Sequence, residues 1–212
     1  FGPDAAKLYR KIDADQFLDP SGFHLYDGHD NFSDVVQREA AAQRNIDSLQ
    51  EFKQQIESAG MLVPCVVAGG SFSFAYYART EGMYGSPGTF IYWDIGYSTA
   101  MPDMPFRWAA LILTQVVDRH PDAGTITTDL GSKGISSDLP VEERAYLLDQ
   151  DKAQFIQQSE EHGVFWIPGK LPRVGDYLLA VPGHICPTTI RYPGIHVIDT
   201  AGEVIDYYLH TA

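Results

Sequence analysis

Leu62-Val63-Pro64-Cys65-Val66-Val67-Ala68-Gly69-Gly70-Ser71 decides the fold class. An almost unbroken apolar run of this length, closed by two glycines and a hydroxyl, reads as a strand covered on both faces, the condition of a parallel sheet between helices. Upstream, Ser33 is read as the N-cap of a long helix that runs to about Ser58 and closes at Gly60. Before it, Gly22-Phe23-His24-Leu25-Tyr26 is a β-forming run with Asp27-Gly28 as its exit turn, and Ala5 to Ile12 reads as the tail of a helix. Downstream, Phe72 to Arg79 suits a helical turn and Phe90 to Asp94 a further strand. The first hundred residues therefore alternate strand and helix, an α/β pattern.

After Pro105 the pattern changes. Trp108 to Asp118, Thr125 to Leu130, Gly163 to Ile167, Tyr177 to Val181, Ile195 to Asp199 and Val204 to His210 are short β-like runs. Turns such as Pro121-Asp122 and Thr200-Ala201-Gly202 separate them, which predicts a mostly antiparallel β domain. Glu142 to Gln158 is the one helical candidate in this half. The expected division is residues 1–103 and residues 104–212. Two or three βα units cannot close a (β/α)8 barrel, so the sequence is expected to be the later part of something longer.

Composition narrows the chemistry. The 212 residues are 44% hydrophobic and 12% aromatic, enough for a sizeable core, and carry a formal net charge of −13. A surface this acidic repels phosphate backbones, so neither nucleic acid nor an anionic membrane is expected as a partner. No apolar run reaches the length of a membrane span. Two cysteines, Cys65 and Cys186, make no disulfide framework and fit a reducing compartment, so a cytoplasmic protein is expected.

Several short stretches are candidates for chemistry. In Pro182-Gly183-His184-Ile185-Cys186-Pro187-Thr188, an extended chain would send His184 and Cys186 to one face. Imidazole and thiolate side by side suit zinc, whose bonds are about 2.1 Å to nitrogen and about 2.3 Å to sulfur. A buried cysteine beside a hydrogen-bonded histidine is the bland alternative. The loops Ala68-Gly69-Gly70-Ser71 and Gly85-Ser86-Pro87-Gly88-Thr89 offer backbone amides to an anion, although ordinary turns are the commoner source of such glycines. His24 to His29 sets polar tips at a strand end, where α/β folds place ligands; a hydrogen-bonded core histidine reads equally well. Asp129-Leu130-Gly131-Ser132-Lys133 and Ser159-Glu160-Glu161-His162-Gly163 are weaker, and suit a solvated surface.

Taken in order, these stretches, with Val174-Gly175-Asp176, resemble the D-threonine aldolase and D-serine dehydratase family, pyridoxal-phosphate enzymes of the alanine-racemase fold. The resemblance implies a partial (β/α)8 barrel followed by the β domain, acting as a homodimer on a small D-amino acid. It implies that Gly88 and Thr89, with Gly70 and Ser71, hold the cofactor phosphate, that Tyr26 lies near the cofactor, and that His184 and Cys186 bind a divalent metal, zinc in most members. The reaction implied is dehydration or aldol cleavage of a D-3-hydroxy amino acid, and the His-x-Cys pair leans toward dehydration. The racemases' catalytic tyrosine has no counterpart near Ser132 and Lys133. The family's Schiff-base lysine lies on its first barrel strand, and Lys7, Lys11, Lys53, Lys133, Lys152 and Lys170 match no part of that region. The chain is therefore expected to be a fragment without the covalent anchor, inactive by itself. The competing expectation is a non-catalytic β-rich binding module whose glycine loops are only turns.

Overall fold

The computed structural model describes residues 2–210. By internal contacts the chain divides into two compact units, one running to Phe90 and the other from Ile91 on. Residues 91–103, read from the sequence with the barrel portion, pack in the second unit.

The first unit is the partial barrel. Helix α1 (Pro3–Asp13) leads into strand β1 (Gly22–Leu25), helix α2 (Val35–Ser58), strand β2 (Cys65–Ala68), the single turn α3 (Phe74–Tyr77) and the short strand β3 (Tyr84–Gly85). The strands form a parallel sheet in the order β1-β2-β3, with Gly22 opposite Cys65 and Val67 opposite Tyr84. Helix α2 begins one residue later than read: Asp34, not Ser33, is its N-cap and accepts from the Gln37 amide at 2.9 Å. Its buried face, Ile46, Leu49, Phe52 and Ile56, recurs every three or four residues and lies in one core with Val66 and Ala68 of β2. Phe23 joins that core, its ring 4.8 Å from Phe52 and 5.1 Å from Tyr9. Strand β2 is shorter than the apolar run, because Pro64 cannot donate to a ladder.

In the second unit the expected strand Phe90 to Asp94 is absent. A 3-10 turn (Thr89–Ile91) stands there, followed by α4 (Ile95–Ala100). Trp93 has φ +54°, which no strand residue adopts, and Asp94 caps α4. Strands β4 (Ile112–His120), β5 (Thr125–Thr128), β6 (Ala145–Leu147), β7 (Gln154–Gln158), β8 (Gly163–Trp166) and β9 (Tyr177–Pro182) form one antiparallel sheet in the order β6-β9-β4-β5-β8-β7. The helix read over Glu142 to Gln158 is thus two strands. Ala145 and Leu147 are buried alternately against β9, and Phe155 stacks on its cross-strand partner Phe165 at 4.6 Å. Helix-forming Glu, Gln, Ala and Leu yield here to strand pairing and core burial.

After β9 come a turn, the short helix α5 (Cys186–Thr189), and a separate hairpin of β10 (Gly194–Ile198) and β11 (Val204–Leu209). All of β11 is exposed, apolar positions included. The architecture is a partial (β/α)8 barrel followed by a mostly antiparallel β domain. No helix among the described residues is long and apolar enough to cross a membrane.

Candidate functional site

In the first unit the candidate residues lie where the three parallel strands end. The Gly69 amide donates to Leu25 O at 2.9 Å and the Ser86 amide to Ala68 O at 3.0 Å, so each loop leaves its strand bonded to its neighbour. The Ser86 hydroxyl donates to Gly69 O at 2.7 Å, and His24 Nε2 lies 3.1 Å from Ser86 Oγ. Ser86 and His24 therefore tie the two glycine loops together. Tyr26, 69% exposed, lays its ring across the glycines: a Cβ on Gly28 would come within 2.4 Å of the ring, and one on Gly70 within 3.0 Å.

Beneath these loops Asp27, 2% exposed, accepts the Ser73 hydroxyl at 2.7 Å and the Tyr77 hydroxyl at 2.8 Å. Ser73 Oγ in turn accepts the Gly70 amide at 3.2 Å. Gly70 thus spends its amide inside the protein, and its part in a cradle is to keep the surface clear. Gly88 differs. A Cβ there would meet nothing within 4 Å, its φ is not left-handed, and its amide has no partner among the described residues. The fold does not require a glycine at 88. A backbone donor left open in this way, next to Thr89, fits a phosphate oxygen.

Burial, the hydrogen bond to Asp27 and the charge of that carboxylate push the Tyr77 phenol well above its ordinary 10.0. Its neutral form is favoured by folding, so the stabilisation is complete below pH 10 and is lost as pH rises from 10.0 toward the raised value. Urea midpoints measured across this range are expected to fall more steeply for the wild-type chain than for Tyr77→Phe. Parallel curves would mean that this phenol does not govern alkaline stability.

In the second unit the His184 stretch is not extended, contrary to the reading of an i, i+2 face. Strand β9 ends at Pro182, Ile185 is in the right-handed helical region, and Cys186 opens α5. His184 and Cys186 therefore sit on one turn, held by two carboxylates. The buried Asp94 accepts the Ile185 amide at 2.8 Å through one oxygen and the Tyr97 amide at 2.7 Å through the other. Burial raises the Asp94 pKa above its ordinary 3.8 in spite of those bonds. Asp138 takes His184 Nδ1 at 2.6 Å, which leaves Nε2 as the ring nitrogen available to a ligand. Burial works to raise Asp138's pKa, but the bonds from Ser136 and His184 outweigh it and hold the carboxyl below its ordinary value. The Tyr97 hydroxyl lies 4.0 Å from Cys186 Sγ, and neither cysteine is in a disulfide.

A histidine whose second nitrogen is fixed by a carboxylate, two residues from a thiol, has the donor chemistry of a zinc site with open positions. No group of three or more His, Cys, Asp or Glu side chains able to hold a metal occurs among the described residues. This pair would leave the remaining positions to substrate or water. Asp138 and Asp94 escaped sequence reasoning. Each is one acid among many in an acidic chain, and the separations of 46 and 91 residues that bring them to the turn leave no local pattern.

The two weaker stretches form a surface tie. The Ser132 and Lys133 amides donate to Ser159 O and Glu160 O, and the exposed Lys133 ammonium pairs with Glu160 and Glu161.

The family described as "Putative serine dehydratase domain" matches residues 109–198, which include strands β4 to β9, Asp138, His184 and Cys186. The 3-hydroxy-D-aspartate aldolase of Paracoccus denitrificans (strain Pd 1222) is 28% identical over 181 residues, 79% of this chain and 44% of that protein. The crystal structure of D-threonine aldolase from Filomicrobium marinum superposes with a TM-score of 0.88 at 23% identity, over 98% of this chain and 57% of that one. D-threo-3-hydroxyaspartate dehydratase from Delftia sp. HT23 superposes with a TM-score of 0.74 at 17% identity, covering 90% and 56%. That dehydratase has also been solved as variants of a histidine and of a cysteine two positions further on, the cysteine variant in a metal-free form. The chain spans less than half the length of the curated relatives it matches. Residues 109–198 thus resemble a serine dehydratase domain, in a chain whose fold is that of the D-threonine aldolase and D-3-hydroxyaspartate dehydratase group.

Proposed function

We propose that this chain supplies the phosphate cradle and the metal pair of a pyridoxal-phosphate- and zinc-dependent lyase for D-3-hydroxy amino acids, working as a cytoplasmic homodimer. The observation that carries the reading is the His184 turn: an imidazole with Nδ1 committed to Asp138, and a thiol at Cys186, both within the matched domain. When bound, the cofactor supplies an electron sink for charge developing at the substrate α-carbon, and zinc supplies a Lewis acid for the 3-hydroxyl.

The residues of the chain do the rest. His184 Nε2 and Cys186 Sγ would hold the cation. Gly88 and Thr89 present donors to the phosphate, Gly70 and Ser71 keep the second loop close, and the exposed Tyr26 ring flanks it. In a chain of net charge −13 an anion must be held by such local donors, because the overall field repels it. None of the lysines is assigned the covalent anchor. The pairing of a histidine with a cysteine, as in the dehydratase variants, favours dehydration over cleavage.

Elemental analysis after dialysis is expected to find one zinc per chain, and none in a His184→Ala, Cys186→Ala double variant of unchanged thermal midpoint. Calorimetric titration with pyridoxal 5′-phosphate should show binding that Gly88→Val weakens at least tenfold without loss of stability. Zinc retained by the double variant would remove the metal assignment. Equal affinity in Gly88→Val would remove the cradle, and failure of both would leave the non-catalytic binding module.

A further inference from the structure

The hydrogen bonds around His184 close into a ring. The Thr188 hydroxyl donates to His184 O at 2.7 Å, and the Ser136 amide donates to Thr188 Oγ1 at 3.2 Å. The Ser136 hydroxyl donates to Asp138, and Asp138 returns to the imidazole at Nδ1. Ser136 and Thr188 are both buried, 3% and 2% exposed, so the ring is anchored in the domain although the imidazole itself is part-exposed. One side of the ring fixes the backbone of residue 184 and the other fixes the plane of its side chain.

We propose that Asp138 is a positioning residue for the metal site: its carboxylate, 2.6 Å from Nδ1 and held by the Ser136 hydroxyl, sets His184 in the Nδ1–H tautomer and aims Nε2 at the cation. The inference rests on the reading of His184 as a ligand. Neutral histidine can carry its proton on either nitrogen, and the tautomer with the proton on Nε2 cannot ligate through that atom. A carboxylate at Nδ1 removes the wrong tautomer and also raises the basicity of the ligating nitrogen.

The test uses the full chain and zinc alone, measured by competition with a chromophoric chelator. The wild-type chain is expected to bind zinc, and Asp138→Ala to bind it roughly 10- to 100-fold more weakly with an unchanged thermal midpoint. Asp138→Glu should recover part of the loss and Ser136→Ala should lose a few-fold. Two-bond nitrogen–proton correlation spectra of the metal-free chain, above neutral pH, should show His184 protonated at Nδ1 in the wild type and shifted toward Nε2 in Asp138→Ala. Unchanged zinc affinity in Asp138→Ala, with zinc still lost in His184→Ala, overturns the positioning role and leaves the metal reading standing. A wild-type chain that takes up no zinc overturns both. Should Asp138→Ala fail to fold, the wild-type spectrum decides, since His184 protonated at Nε2 overturns the inference.

Discussion

Asp94→Ala is expected to lower the stability of the β-rich unit by about 3 kcal/mol, with an acceptor lost at two places at once. Removing an N-cap acceptor costs about 1 kcal/mol, and leaving a buried amide without a partner costs about 1–3 kcal/mol. The amides concerned are Tyr97, in the first turn of α4, and Ile185, which is 2% exposed. The carboxylate opposes part of this by its own burial. Because its pKa is raised in the folded chain, its contribution is greatest below pH 3.8 and is lost as pH rises through the raised value. Once ionised, it therefore stands as a partly unfavourable buried charge. Asp94→Asn relieves that charge and keeps one acceptor oxygen, so its midpoint in guanidinium should fall between those of the wild type and Asp94→Ala. If Asp94→Ala unfolds at the wild-type concentration, the two amides find water and Asp94 does not hold the turn.

Gly183→Ala is expected to be at least as damaging, for a reason of space. A Cβ at this position would sit 1.9 Å from Glu143 O and 3.1 Å from Arg144 Cα. Both are backbone atoms of the segment entering β6, so no side chain can swing away. The Gly183 amide donates to Arg144 O at 2.8 Å, and its carbonyl accepts from the Gly96 amide at 3.1 Å. Any shift that admits the methyl group breaks those bonds together with the Ala145–Pro182 pairing. Overpacking in a rigid site costs about 1–3 kcal/mol, and with the broken bonds added the loss should reach about 3–4 kcal/mol. Thermal unfolding of Gly183→Ala beside Gly88→Ala makes the comparison direct, because the second glycine faces open space and its replacement should leave the midpoint where it is. Equal midpoints for the two variants would contradict the close packing at Glu143.

These two residues also mark how far the sequence could be read. The alternation of strand and helix up to residue 90, and the six β runs after Pro105, are legible because hydrophobic periodicity and turn residues act within a few positions. All six runs are strands, displaced by a few residues at their ends. The failures lie where distant contacts override local preference. Phe90 to Asp94 is rich in β-formers, yet Asp94 is committed to capping α4 and to Ile185, ninety-one residues away. Glu142 to Gln158 is rich in helix-formers, yet Leu147 and Phe155 are claimed by the sheet. At the candidate site the glycine loops and the His-x-Cys pair were visible as residue types. The carboxylates that orient them were not, because an acid's role depends on what the fold carries to it.

The hairpin of β10 and β11 sets a condition on the chain in solution. Val204-Ile205-Asp206-Tyr207-Tyr208-Leu209 is exposed along its whole length and, among the described residues, pairs only with β10. Five β-branched, aromatic and aliphatic residues interrupted by a single acid are the composition of segments that stack copy upon copy into fibrils. Asp206 is the gatekeeper of that segment, and the net charge of −13 supplies the repulsion between chains. Salt screens such repulsion over about 10 Å at 0.1 M, so the colloidal behaviour of this protein is governed at one strand by ionic strength.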